Sequence, residues 1–235
     1  IPKIKNFIHI YNQGNNRNKI FYLRDNYMFF LDKIKTYVIP YADILAWCLM
    51  PNHFHLMVYV REVELPVLTH SQGFTNSEAL TSSALTSTSQ ATRSEALIGQ
   101  VPTSPKLRTF NDSIGIMLRS YTRAINKQEG FTGSLFRKET KAECINCPKG
   151  IAPAFINDEG LAKINFIDPL KQYPQVCFNY IHQNPIKAGL VKNALEWEFS
   201  SAKDYAGIRN SKIVNKTLAA KYVSIIAFNS NLSKI

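Results

Sequence analysis

The sequence predicts an α+β fold, a central antiparallel sheet with helices on one face, and three patterns predict it. From His53 the residues alternate: His53, His55, Met57 and Tyr59 fall on one side, Phe54, Leu56, Val58 and Val60 on the other. Period two is the mark of a strand with one face in a core. Just before it, Ile44 to Met50 is a near-continuous apolar run, read as a buried central strand, and only Pro51-Asn52 separates the two. Two further segments carry apolar residues at helical spacing: Tyr27, Phe30, Leu31, Ile34 and Val38, then Ile114, Met117, Leu118, Tyr121 and Ile125.

The remaining elements follow in chain order. Lys3 to Asn12 reads as a first strand, and the polar stretch 13–18 as a turn. Asp25 is placed to cap the first helix, and Pro40 to stop it. Residues 69–105 are rich in Ser, Thr, Ala and Gln; Ser77-Glu-Ala-Leu80 recurs as Ser94-Glu-Ala-Leu97. That marks a short duplicated insertion with little to bury. The second helix is expected over 111–127, ended by Gly130. A strand is expected within 134–145, and a second insertion over 147–169. A helix opening at Pro174 is expected to end at Asn184-Pro185, because a residue before proline avoids helical geometry. A short helix over 197–205 and one over 214–228 complete the expectation, giving a main unit over 1–210 and a helical tail over 211–235.

Composition narrows the partners. The 235 residues carry a net charge of +11, which favours a polyanion, nucleic acid first. Arg119, Arg123 and Lys127 recur every four residues and form one basic stripe on a helix; Arg137, Lys138 and Lys187 add positive charge, and together these six are the candidate DNA contacts. No run approaches the ~18 apolar residues of a membrane span. The first residues lack the pattern of a signal peptide, so the expectation is a cytoplasmic, nucleoid-associated protein with reduced cysteines. Cys144 and Cys147 have C-x-x-C spacing, but no second such pair or H-x-x-x-H completes a zinc site.

The chemistry starts from His53 and His55. On one strand face the imidazoles stand about 6.6 Å apart along the backbone, close enough to share a divalent cation. A hydrogen-bonded pair near a sheet edge is the plain alternative. A histidine-bound cation beside a basic surface suits phosphodiester chemistry, with water or a side chain as nucleophile. Tyr180 and Asn184, four residues apart, share one helix face. With eleven tyrosines in the chain, packing is the ordinary role of any one of them, Tyr121 in its apolar stripe included. His182 reads as exposed polar surface or a phosphate contact; His9 and His70 receive no role.

Leu45-Ala-Trp-Cys-Leu-Met-Pro-Asn-His-Phe-His-Leu-Met-Val58 resembles the HUH motif (histidine, bulky hydrophobic, histidine) of one-tyrosine transposases. Tyr180-Ile-His-Gln-Asn-Pro-Ile-Lys-Ala-Gly-Leu-Val191 resembles the catalytic tyrosine helix of the same group, and the segments 11–16 and 131–137 fit its pattern too. The chain is thus similar to REP-associated tyrosine transposases and to the single-strand transposases of small bacterial insertion sequences. The resemblance implies a ferredoxin-like core. It implies Mg²⁺ or Mn²⁺ held by His53, His55 and Asn184, where the family often has Gln in the last position. It implies attack by Tyr180 on single-stranded, hairpin-bearing DNA, leaving a 5′-phosphotyrosine and a free 3′-hydroxyl. A monomer and a homodimer that exchanges tyrosine helices both fit. Two rival readings are a transposase-derived DNA-binding protein without catalysis and a metal nuclease that uses water.

Overall fold

The computed structural model describes residues 6–67, 106–146 and 169–225. The Ser/Thr-rich insertion, His70, Cys147 and residues 147–168 of the expected second insertion lie outside them. The elements are β1 (Phe7–Gln13), α1 (Arg24–Tyr37), β2 (Ala42–Met50), β3 (His53–Val60), β4 (Glu64–Pro66), β5 (Leu107–Thr109), α2 (Phe110–Glu129), β6 (Lys141–Cys144), α3 (Pro169–Lys187), α4 (Ala202–Tyr205) and α5 (Lys216–Ala219).

Four strands form one sheet in the order β2-β3-β1-β6, every neighbouring pair antiparallel. Two strand–helix–strand units arranged this way make the ferredoxin-like pattern. Burial splits the sheet by strand parity. Phe54, Leu56 and Val58 of β3 join Phe30 and Ile34 of α1 and Met117 and Tyr121 of α2 in one core. Met57 of β3 and Cys48 and Met50 of β2 join Cys177, Phe178 and Ile181 of α3 in another. The helices expected on one face are α1 and α2; α3 lies across the opposite face.

Local chemistry accounts for the helix ends. α2 starts at Thr109, whose hydroxyl accepts from the Asp112 amide at 3.0 Å, and stops at Gly130, whose φ of 70° is left-handed. Asp25 does not cap α1. Asn26 does the work instead: its carbonyl accepts from the Tyr22 and Leu23 amides at 3.0 and 2.9 Å. α3 begins earlier than expected and continues past Asn184-Pro185, so both Pro174 and Pro185 lie inside it. Pro185 sits in the last turn, where Ala188 still donates to the Asn184 carbonyl at 2.9 Å. The proline preference is local; burial of Ile181, Asn184 and Pro185 overrides it.

Two expected elements are shorter than the pattern suggested. The strand within 134–145 is confined to β6; before it, a loop wraps β1, with the Arg137 amide donating to the Gln13 carbonyl at 2.9 Å. The expected helix over 214–228 is only α5 among the described residues, preceded by an extended contact in which the Asn215 amide donates to the Ile44 carbonyl at 2.8 Å. A two-stranded ladder of β4 and β5 was not expected. It pairs Glu64 with Thr109 and Pro66 with Leu107, so the chain on either side of the insertion meets at one place. A long insertion there costs the core little, because closure entropy grows slowly with loop length. Cys144 is disulfide-bonded, against the reduced state expected; Cys48 and Cys177 are free and buried. Among the described residues no helix is long and apolar enough to cross a membrane.

Phe30 sits at the centre of the α1–α2 core, 4.9 Å from the Tyr121 ring and 5.1 Å from the Phe54 ring. Phe30→Ala is expected to lower the unfolding free energy by about 3–5 kcal/mol, read as a shift of the urea midpoint.

Candidate functional site

The strand parity that sends Phe54 and Leu56 to one core sends His53 and His55 to the α3 side. Their rings lie 5.0 Å apart, nearly perpendicular. The Tyr180 ring meets the His55 ring edge-on at 5.4 Å. Asn184, one turn along α3, is within hydrogen-bonding reach of His53. The structure therefore brings His53, His55, Tyr180 and Asn184 together on one side of the sheet, in one chain.

Each imidazole is tied at Nδ1. The His53 Nδ1–H donates to Asn52 Oδ1 at 2.6 Å, and the Asn52 amide is oriented by its own donation to the Arg17 carbonyl at 3.2 Å. His55 Nδ1 is bonded to His9 Nε2 at 3.0 Å. On α3 the Asn184 Nδ2 donates to the Tyr180 carbonyl at 2.9 Å, which leaves its Oδ1 facing His53. Two ring nitrogens and one amide oxygen remain as donors, a set that could hold a divalent cation completed by water or substrate oxygens. Among the described residues no three His, Cys, Asp or Glu side chains are arranged for a metal, so the amide is needed as third donor.

The electrostatics keep these imidazoles neutral, as ligation requires. Burial pushes His53 down, opposed by the neighbouring Asn184 side chain. His55 is held well below its usual value by burial first, then by the neighbouring His9 and His53. At the rim, Tyr11 donates to Glu143 Oε1 at 2.6 Å, and burial followed by that carboxylate raises its phenol.

Two residues of the site were missed by sequence reasoning. His9, given no role, is 2% exposed and touches His55. Its signal was its place in β1, opposite Met57 and two pairs from His55, on the same face. His182 is neither exposed surface nor a phosphate contact: it is fully buried. Its Nδ1–H donates to the Phe178 carbonyl at 2.8 Å, so Nε2 accepts from the Ser201 hydroxyl at 2.7 Å. The Trp47 amide donates to that same hydroxyl oxygen at 3.0 Å. This chain of bonds fixes α3 against β2, and with it the height of Tyr180 over the histidines.

The charged candidates divide. Lys187 stands with its ammonium 5.4 Å from the Tyr180 ring centre. Arg137 and Lys138 are exposed in the loop bonded to Gln13, which pairs with His53 across the sheet. Arg119, Arg123 and Lys127 are exposed on α2, in the layer on the far side of the sheet from Tyr180. The structure does not bring that stripe to the histidines.

No family model and no curated protein matches the chain. A solved structure described as a REP-associated tyrosine transposase bound to a REP hairpin is similar at 13% identity and a TM-score of 0.47, over 91% of this chain and 92% of that one.

His182 is pushed down from 6.5 to about 3 by burial. Its native form stays neutral while the unfolded chain takes up a proton below pH 6.5, so stability falls as pH drops through that window. Between pH 7 and pH 5 its share of the loss is about 2 kcal/mol. In urea titrations at the two pH values, His182→Gln is expected to reduce the pH-dependent loss by that amount while lowering stability at pH 7.

Proposed function

We propose that the protein is a metal-dependent single-strand DNA endonuclease and strand transferase, acting through a 5′-phosphotyrosine. The observation that carries this reading is the placement of the Tyr180 ring against His55, with Asn184 beside His53 on the same helix. A nucleophile and a third donor one turn apart are set by a single docking of α3.

His53, His55 and Asn184 would hold Mg²⁺ or Mn²⁺. Bound there, the cation supplies polarisation of a phosphoryl oxygen and offsets transition-state charge. The Tyr180 phenol oxygen attacks the scissile phosphorus and gives up its proton as the new O–P bond forms. The P–O3′ bond breaks, and the departing 3′ oxygen takes a proton. Phosphoester energy is kept in the tyrosine link, so a 3′-hydroxyl reverses the step and joins strands without ATP. Lys187 places a positive charge beside the phenol where a phosphate must approach. Arg137 and Lys138 serve the His53 end of the sheet. A hairpin-bearing single strand suits these groups, its backbone held by cations and its unpaired bases open to reading. Arg119, Arg123 and Lys127 would hold a more distant part of the same DNA.

Incubation with single-stranded hairpin DNA and Mn²⁺ tests the reading, a denaturing gel showing protein joined to DNA. Tyr180→Phe is expected to lose both adduct and cleavage; cleavage that persists without adduct would identify a water-using nuclease. His53→Ala is expected to lose the adduct while keeping its circular dichroism, and an unfolded variant would show the histidine to be structural. Binding without cleavage by the wild-type protein would favour a transposase-derived DNA-binding protein. Replacing Arg119, Arg123 and Lys127 with Ala is expected to reduce the slope of log affinity against log salt by about 2 for single strands, measured by fluorescence anisotropy.

A further inference from the structure

Among the described residues, His9 makes a buried side-chain bond that reaches a proposed metal-binding imidazole from another strand. It lies on β1, 2% exposed, with Nε2 at 3.0 Å from His55 Nδ1. The two rings are stacked, centroids 5.1 Å apart and 21° from parallel. The Tyr180 ring stands edge-on to His9 at 6.2 Å as well as to His55. Such a bond has two forms. Either His9 gives its proton to His55 and His55 carries its own at Nε2, or His55 carries it at Nδ1 and His9 accepts.

Its neighbour shows which form suits the site. Asn52 Oδ1 can only accept, so His53 carries its proton at Nδ1 and keeps a lone pair at Nε2. We propose that His9 is a positioning residue that accepts from His55 Nδ1–H, fixing the tautomer in which Nε2 of His55 presents a lone pair for a divalent cation. The inference rests on the function proposed above in naming that cation, but the tautomer is a property of the metal-free protein. The two histidines of one strand are then oriented by different means: His53 by the residue before it, His55 by a strand 46 residues away in sequence. A His55 that carried hydrogen at Nε2 would satisfy the same bond to His9 but block ligation, so the direction of this one bond decides whether Nε2 is open to a cation.

Long-range ¹H–¹⁵N correlations of the metal-free protein read the tautomer of His55 directly. The Nδ1–H form is expected, and an Nε2–H form would overturn the proposal. His9→Phe keeps a ring of similar size but removes the acceptor. It is expected to move His55 toward the Nε2–H form and to weaken Mn²⁺ binding, measured by calorimetry, 10- to 100-fold. His9→Gln, whose side-chain carbonyl can accept, is expected to restore most of both. A His55 tautomer unchanged in His9→Phe would overturn the proposal, since a residue that merely packs would lower stability and leave the proton where it was. Should His9→Phe not fold, the wild-type tautomer and the His9→Gln variant decide. A wild-type protein with the expected tautomer that binds no Mn²⁺ would refute the metal reading and leave the role of His9 in setting the tautomer standing.

Discussion

The strict alternation of β3 is the constraint from which the rest follows. Phe54, Leu56 and Val58 must be buried under α1 and α2, and the pleat then has no freedom over the intervening residues. His53, His55 and Met57 go to the other face. A slip of one residue would send the histidines into the α1–α2 core and force three large side chains under α3. The register of β3 between β1 and β2 is therefore held by hydrophobic burial. The two histidines lie on the face that the α1–α2 core does not use.

That second face is covered by α3, and polar bonds set how it lies there. Cys177, Phe178 and Ile181 supply the apolar contact, but apolar packing alone tolerates small slides along a flat sheet. The bonds from the Phe178 carbonyl through His182 and the Ser201 hydroxyl to Trp47 have one geometry. A buried polar chain of this kind strengthens when fully satisfied and is costly when broken, so it specifies position as well as adding stability. Tyr180 and Asn184 flank His182 on the same helix. Their distance from His55 and His53 is decided two residues away from either of them.

Charge is distributed in two separate places. Lys187, Arg137 and Lys138 belong to the neighbourhood of the histidines, whereas the stripe of Arg119, Arg123 and Lys127 belongs to the opposite layer. A strand of DNA engaging both must pass around an edge of the sheet. Under the proposed function, the charges near the histidines would act on the reacting phosphate, while those across the sheet would serve to hold the strand.

Much of this was legible in the chain itself. Period two in 53–60, the apolar run 44–50 and the helical stripes of α1 and α2 determined the α+β class, because hydrophobic periodicity is a local property written in consecutive residues. The same spacing placed His53 with His55, and Tyr180 with Asn184. Tertiary structure decided the rest. It continued α3 through two prolines, since burial along a helix outweighs the preference of one peptide unit. It put α3 and the basic stripe on opposite faces, which no local pattern encodes. It turned His182 from apparent surface into an anchor and gave His9 a partner on another strand, because a histidine's role is set by what lies across from it. Periodicity assigns a side chain to a face; only the packing of distant segments supplies its neighbour.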